Sequence, residues 1–134
     1  MKDARYREEL DVCKQDHVDH VDIPFSARHL PSPETLNNLL AEFDHGRYPL
    51  LIHCQAGSDR TGLASTLYVH LMKKTPLDEA ERSQLTWHYG HLPVGPTKAM
   101  DDFFTLYRNT SRGEDMRTWI KKDYPALYAE SPEK

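Results

Sequence analysis

The sequence predicts an α/β fold, a small parallel sheet flanked by helices, and three observations support this prediction. Two short apolar runs alternate with helical patterns in the first half of the chain. The second run is continuous, which is typical of a strand buried on both faces of a parallel sheet. The last third shows helical periodicity alone. Strands that alternate with helices in this way indicate the α/β class.

The first two predicted elements are a helix and a strand. The helix is indicated by apolar residues at helical spacing, namely Tyr6, Leu10 and Cys13. Cys13 lies on this apolar stripe and is therefore predicted to be a small core residue. The strand is indicated by apolar residues that alternate with polar neighbours, namely Val21, Ile23 and Phe25.

A second helix and the continuous apolar run come next. Ser32 followed by Pro33 is a typical helix start, and Gly46 can end the helix. Between them lies one apolar stripe, formed by Leu36, Leu39, Leu40 and Phe43. The run at residues 48–52 then predicts a buried strand that ends at His53 and Cys54.

Four further helices are predicted after the second strand. The first begins near Arg60 or Thr61, and the second runs from a cap at Thr75 and Pro76 to about His88. Apolar stripes indicate the other two, with Met100, Phe103, Phe104 and Tyr107 in one and Met116, Trp119 and Ile120 in the last. Four aromatic residues are predicted to pack in the core: Trp87, Phe103, Phe104 and Trp119.

Composition limits the class of protein. A chain of 134 residues with 38% hydrophobic residues is expected to form a single domain over residues 1–134. The net charge of −4 and the interspersed charges argue against nucleic acid as a partner. No apolar stretch is long enough to form an integral membrane segment, and we expect a cytoplasmic protein. Two cysteines form no disulfide framework, so a working thiolate is available.

The stretch HCQAGSDRTG, residues 53–62, carries the chemistry. It lies between the predicted buried strand and the next helix, where ligands bind in open α/β sheets. Backbone N–H groups from Gln55, Ala56, Gly57, Ser58 and Asp59 to Arg60 can cradle an anion at the helix N-terminus. Gly57 permits the tight backbone path. Arg60 supplies a planar fork of donors that matches two phosphate oxygens.

The helix N-terminus and the Arg60 cation are also expected to activate Cys54. A thiol at a helix N-terminus beside a cation has a lowered pKa, roughly 3.5–7.5 against about 8.5 for a free thiol. Such a thiolate, held under a bound phosphate, is arranged for in-line attack on phosphorus. Thr61, next to the arginine, is expected to hydrogen-bond the sulfur and assist its departure. The loop is therefore predicted both to hold a phosphate group and to attack it.

These residues resemble a known signature. HCQAGSDRTG is similar to the His-Cys-five-residues-Arg-Ser/Thr-Gly motif of the cysteine-dependent protein tyrosine and dual-specificity phosphatases, and its DRTG ending resembles bacterial and phosphoinositide-directed branches. The looser resemblance runs from about Val18 to Trp119. It implies that Cys54 is the nucleophile, Arg60 the phosphate clamp, Thr61 the assisting hydroxyl and residues 55–60 the cradle.

The resemblance also implies a general acid upstream of the cysteine. Asp22 is the preferred candidate, because its spacing from Cys54 is similar to that of dual-specificity members. Its place on a strand, opposite the apolar face, counts against it. Asp59, inside the loop, is the rival. A solvated or ion-paired role is an equal alternative for either aspartate.

By the same resemblance, the N-terminal strands of the family's sheet are missing from this chain. We therefore expect either an unusually small sheet or a homodimer that pairs an exposed sheet edge with a second copy. The pairs His17/His20 and His88/His91 lack further ligands at metal spacing, so no metal and no cofactor are expected. His53 is expected to hydrogen-bond backbone near the loop.

Two functions from different classes fit these observations. The first is a phosphatase that acts on a phosphorylated protein or on a small phosphomonoester such as a phosphoinositide. The second is a non-catalytic phosphate-binding module of pseudophosphatase type. A sulfur-transfer enzyme is a third and remote alternative. Arg28 and His29 follow the first predicted strand and are expected either to contact the rest of the substrate or to be solvated.

Overall fold

The computed structural model describes residues 3–132 and 134. In that part of the chain there are seven α-helices: α1 (Ala4–Gln15), α2 (Pro33–His45), α3 (Asp59–Leu71), α4 (Leu77–Gln84), α5 (Ala99–Thr110), α6 (Met116–Lys122) and α7 (Tyr124–Glu130). Two short 3-10 turns, Trp87–Tyr89 and Gly95–Lys98, lie between α4 and α5. None of the described helices combines the length and the apolar character needed to cross a membrane.

The predicted start and end of α2 are confirmed by its capping contacts. The Ser32 hydroxyl accepts a hydrogen bond from the Thr35 amide at 3.1 Å, which satisfies one of the free donors of the first turn. Pro33 occupies the first helical position and Gly46 follows the last. Local sequence therefore determines this helix, and the same holds for α1, which is capped by Asp3.

The predicted α/β class is wrong: over residues 3–132 and 134 the structure contains helices and loops and no strand. Both predicted strands lie in non-helical segments, residues 18–31 and 47–54. A strand needs a neighbouring strand to take up its backbone donors and acceptors, and neither segment lies in such a ladder. The apolar residues of the two segments have another role. Ile23, Phe25, Leu50 and Ile52 pack one side of each segment against the helical core.

Side chains, and not a ladder, connect the two non-helical segments. Arg47 donates from Nε to the Asp19 carboxylate at 2.7 Å and from Nη2 to the His17 carbonyl at 3.1 Å. Both partners of this ion pair are exposed, so it contributes little to stability. The segments are thus held mainly by their contact with the helices beneath them.

The core lies between α2, α3, α5, α6 and α7. Its central residues are fully buried and include Leu36, Phe43, Leu63, Leu67, Met100, Phe103, Phe104, Trp119 and Tyr124. Phe103 contacts Trp119 and Tyr124 edge to face, with ring centroids 5.7 and 5.3 Å apart. The Trp119 indole donates to the Thr110 hydroxyl at 3.0 Å, so its one polar atom is satisfied. The predicted burial of Phe103, Phe104 and Trp119 is confirmed.

Three predictions about packing are wrong. Trp87 is 68% exposed and stacks on His88 at the surface, because α4 ends at Gln84 and not near His88 as predicted. Helix α1 buries none of its residues, so Cys13 is only half-buried and lies outside the core. Helix α6 was predicted to be the last helix, but α7 follows it, with Pro125 in its first turn, where proline is well tolerated.

Candidate active site

The loop of residues 54–60 connects the second non-helical segment to α3. Gly57 has a φ of +70°, a conformation that glycine adopts without strain. Ser58, at the cap position of α3, makes no side-chain hydrogen bond to the first turn of the helix. The amide donors of that turn are therefore not taken up by a capping side chain, which is the arrangement expected of an anion site.

Cys54 and Thr61 are in direct contact. The Thr61 hydroxyl donates to Cys54 Sγ at 3.0 Å. Partial burial would raise the pKa of the Cys54 thiol, but hydrogen bonds from the Thr61 hydroxyl and from the backbone of Thr61, Ala56 and Gly57 outweigh this and lower the pKa to about 7. These donors favour the thiolate because they stabilise its charge.

Cys54 opens onto a cleft of about 340 Å³. Its walls come from both sides of the loop and from the first non-helical segment, namely Ser26, Ala27, Arg28, Cys54, Gln55, Ala56, Asp59 and Arg60. The predicted nucleophile and the predicted arginine thus share one cleft. Arg28, expected at the same edge, also lines it, whereas His29 does not.

Arg60 is held at the rim of this cleft by the first non-helical segment. Its Nη1 lies 3.4 Å from the Phe25 carbonyl oxygen, to which it donates. One hydrogen bond of this length leaves the other guanidinium donors available for a ligand. Arg60 therefore fits the geometric requirement of a phosphate clamp while it also links α3 to residues 25–28.

The two aspartates that were candidates for the general acid lie in different places. Asp22 is half-exposed, accepts a hydrogen bond from the Tyr6 hydroxyl at 2.5 Å and lies 4.0 Å from the His20 ring. It is not among the residues that line the Cys54 cleft. Asp59 does line the cleft, and its Oδ1 lies 2.7 Å from Nδ1 of His91. The structure thus brings Asp59, and not Asp22, to the cleft of the predicted nucleophile.

His53 contacts α1. Its Nε2 lies 2.6 Å from the Glu9 carboxylate, which also lies 3.3 Å from His20. The prediction that His53 hydrogen-bonds backbone near the loop is wrong. The residue next to the cysteine instead fixes the otherwise poorly packed first helix near the loop.

Gly62, the last residue of the loop motif, allows two helices to approach closely. A Cβ atom at this position would lie 2.7 Å from Leu85 Cδ1 and 3.2 Å from the Gln84 carbonyl oxygen. Any other residue type would require a shift of the Leu85 side chain and a small adjustment at the end of α4. The glycine at the end of the motif therefore serves packing, whereas Gly57 serves the path of the loop.

A comparison with protein-family models gives one match, to the tyrosine phosphatase family, over residues 8–78. The matched stretch runs from α1 into α4 and includes the whole loop. The chain belongs to the tyrosine phosphatase family. Searches of curated proteins and of solved structures return no match. Membership agrees with the resemblance drawn from the loop and supports phosphatase activity in general.

Two residues close to the loop were missed by sequence reasoning. His91 and Asp101 lie outside the segment that matches the family, yet they form a hydrogen-bonded series with Asp59. His91 was considered only as half of a metal pair with His88. No local pattern could have found it, since its partners lie 32 and 10 residues away in the sequence.

Proposed function

We propose that this member of the tyrosine phosphatase family is a phosphomonoester hydrolase that works through a phosphocysteine intermediate at Cys54. The observation that supports it best is the 3.0 Å hydrogen bond from Thr61 to Cys54 Sγ, at a thiol whose pKa is lowered to about 7. A loop that only binds phosphate does not need a thiolate. The loop motif, of cysteine-dependent phosphatase type with a DRTG ending, points the same way.

The proposed reaction has two steps. The Cys54 thiolate attacks phosphorus, the bond from phosphorus to the ester oxygen breaks, and the leaving oxygen takes a proton from an acid. Water then attacks the phosphocysteine, the sulfur leaves as thiolate with the help of Thr61, and inorganic phosphate is released. Arg60 and the amides of residues 55–60 stabilise the charge on the non-bridging oxygens in both steps.

Asp59 is the better candidate for the acid. It shares the cleft with Cys54, whereas the Asp22 carboxylate is engaged by Tyr6 and lies outside that cleft. A general acid must lie within hydrogen-bond reach of the oxygen that it protonates. We therefore assign the proton transfer to Asp59 and a structural role to Asp22, which links α1 to the first non-helical segment.

The proposal is tested by hydrolysis of p-nitrophenyl phosphate by the full chain. Cys54→Ser is expected to fall to the background rate, while Cys13→Ser, the matched change at the other cysteine, keeps the parent rate. Arg60→Lys is expected to lose about 10²–10³-fold, because lysine cannot form the bidentate contact. A labelled phosphocysteine that is trapped by rapid acid quench would identify the intermediate.

The same experiment distinguishes the binding-module alternative. If the parent chain is inert while tungstate still raises its melting temperature, the loop binds phosphate without chemistry. Turnover that persists in Cys54→Ser would contradict the phosphocysteine mechanism directly.

A further inference from the structure

His91 is a buried histidine held between two carboxylates. It is 1% exposed. Its Nδ1 lies 2.7 Å from Asp59 Oδ1 and its Nε2 lies 2.7 Å from Asp101 Oδ2. Asp59 is the first residue of α3 and Asp101 lies in the first turn of α5. The imidazole ring therefore bridges α3, which begins at the loop, and α5.

The chemistry of the ring fits this bridge. Each ring nitrogen lies at hydrogen-bond distance from a carboxyl oxygen, so both polar atoms of the buried ring have a partner. Asp101 holds the ring nitrogen that does not face Asp59. Asp101 in turn lies on a second cleft with charged residues of α4 and α5, namely Asp78, Glu81, Arg82 and Arg108.

The segment that carries His91 is pressed against the loop. Its amide donates to the Thr86 carbonyl at 3.1 Å, which closes a tight turn around residues 87–90. Gly90 in this turn has a φ of +87°, and a Cβ there would lie 2.9 Å from Ser58 Oγ. The backbone before His91 thus touches the loop directly, so the position of the ring relative to Asp59 is determined from two sides.

We propose that His91, held in place by Asp101, is the positioning residue of Asp59, the acid and base of the reaction. The inference rests on the proposed function, and it explains a buried histidine that the loop motif does not contain. His91 binds Oδ1 of Asp59 and leaves Oδ2 for the substrate. Asp101 fixes the orientation of the ring.

In this arrangement the protons balance over the two steps. Asp59 gives its proton to the leaving ester oxygen, and the carboxylate that remains keeps its contact with Nδ1 of His91. In the second step the water that attacks phosphorus gives one proton to Asp59, which restores the carboxyl group. His91 takes no proton from the substrate or from water, so it acts through Asp59 and does not touch the substrate.

The test compares two substrates that differ in their need for an acid. The p-nitrophenolate group leaves without much help, whereas the phenolate of phenyl phosphate depends on protonation. His91→Phe is expected to raise the ratio of kcat for p-nitrophenyl phosphate to kcat for phenyl phosphate by about tenfold or more. Asp59→Asn is expected to raise it at least as much, and His91→Phe is expected to add nothing further in the Asp59→Asn background.

A second pair of variants keeps the test decisive if His91→Phe does not fold. Asp101→Asn retains the shape of the side chain and removes its charge, so the ratio should move in the same direction by a smaller factor. Asp102→Asn is the matched control, because that neighbouring carboxylate contacts Lys98 at the surface. It should leave both rates unchanged.

Each outcome bears on the proposal separately from the phosphatase mechanism. A folded Asp101→Asn or His91→Phe that slows both substrates equally, or slows neither, overturns the positioning role. Additive effects of His91→Phe and Asp59→Asn would overturn it as well. Failure of the phosphatase mechanism would appear instead as activity that survives in Cys54→Ser.

Discussion

The helical core and the two non-helical segments, residues 18–31 and 47–54, differ in how completely their apolar side chains are buried. Leu67 of α3 is fully buried, whereas Leu51 is 88% exposed. Leu51 lies in a continuous apolar run of the kind found in a buried strand, but there is no ladder beside it in the described chain. An apolar pattern alone therefore does not secure burial; a partner element must cover it.

The predicted active site lies where these two regions meet. Cys54 ends the second non-helical segment, while Thr61 and Arg60 belong to α3. The hydrogen bonds from Thr61 to Cys54 and from Arg60 to the Phe25 carbonyl both cross this boundary. Helix α3 of the packed core thus supplies these two hydrogen-bond donors, and the loosely held second non-helical segment supplies the nucleophile.

The largest effect is expected from the same truncation made in each region. Leu67→Ala should lower the free energy of unfolding by about 2–5 kcal/mol, because it leaves a cavity in a packed core. Leu51→Ala should change it by no more than about 0.5 kcal/mol. Urea denaturation of both variants measures the difference. Equal losses would mean that Leu51 is covered in solution and that the contrast between the regions does not hold.

A smaller effect separates the two glycines of the loop motif. Gly62→Ala should cost about 1–3 kcal/mol of stability, since the added methyl group meets Leu85 and the Gln84 carbonyl. Gly57→Ala meets no atom within 4 Å, so its cost is limited to the strain of a positive φ, about 1 kcal/mol. Thermal melting measures this difference in stability. The rate of phosphate-ester hydrolysis should instead fall more for Gly57→Ala than for Gly62→Ala. A larger loss for Gly62→Ala in both assays would refute the division of roles.

The next effect concerns a hydrogen bond that joins the regions. The buried Tyr124 hydroxyl donates to the Pro31 carbonyl at 2.6 Å and so holds the first non-helical segment to α7. Tyr124→Phe should cost about 1–3 kcal/mol because it leaves this carbonyl without its donor. Tyr128→Phe, on the same helix, is the control and should be nearly neutral. Matched losses in the two variants would mean that the hydrogen bond to Pro31 contributes nothing of its own.

The last effect is a change in the ionisation of Cys54 without a large change in stability. With a pKa of about 7 the thiol is half ionised at neutral pH, so alkylation by iodoacetamide should accelerate as pH rises through 7 and level off above it. In a Cys13→Ser background the reaction reports Cys54 alone. Thr61→Val removes the hydroxyl donor and should move the curve to higher pH, whereas Thr61→Ser should not. An unshifted curve for Thr61→Val would show that backbone donors alone lower the pKa.

Helix positions were predictable because the signals are local. The cap at Ser32, the proline at the first turn of α2 and the apolar stripe of α5 all act within one or two helical turns. The loop chemistry was predictable for the same reason, since Cys54, Arg60 and Thr61 lie within one short stretch. Helix α7 was missed because the helix around Met116, Trp119 and Ile120 was predicted to be the last.

The sequence by itself determined six of the helices, the position of the loop between an apolar run and α3, and the residues that could hold and attack a phosphate group. Tertiary structure decided whether the apolar runs pair as strands, because a ladder depends on a neighbour that may lie anywhere in the chain. It also decided which aspartate shares the cleft with Cys54 and which histidine contacts it. These contacts join residues far apart in sequence, and only the packing of α3 against α5 and the turn before His91 brings them together.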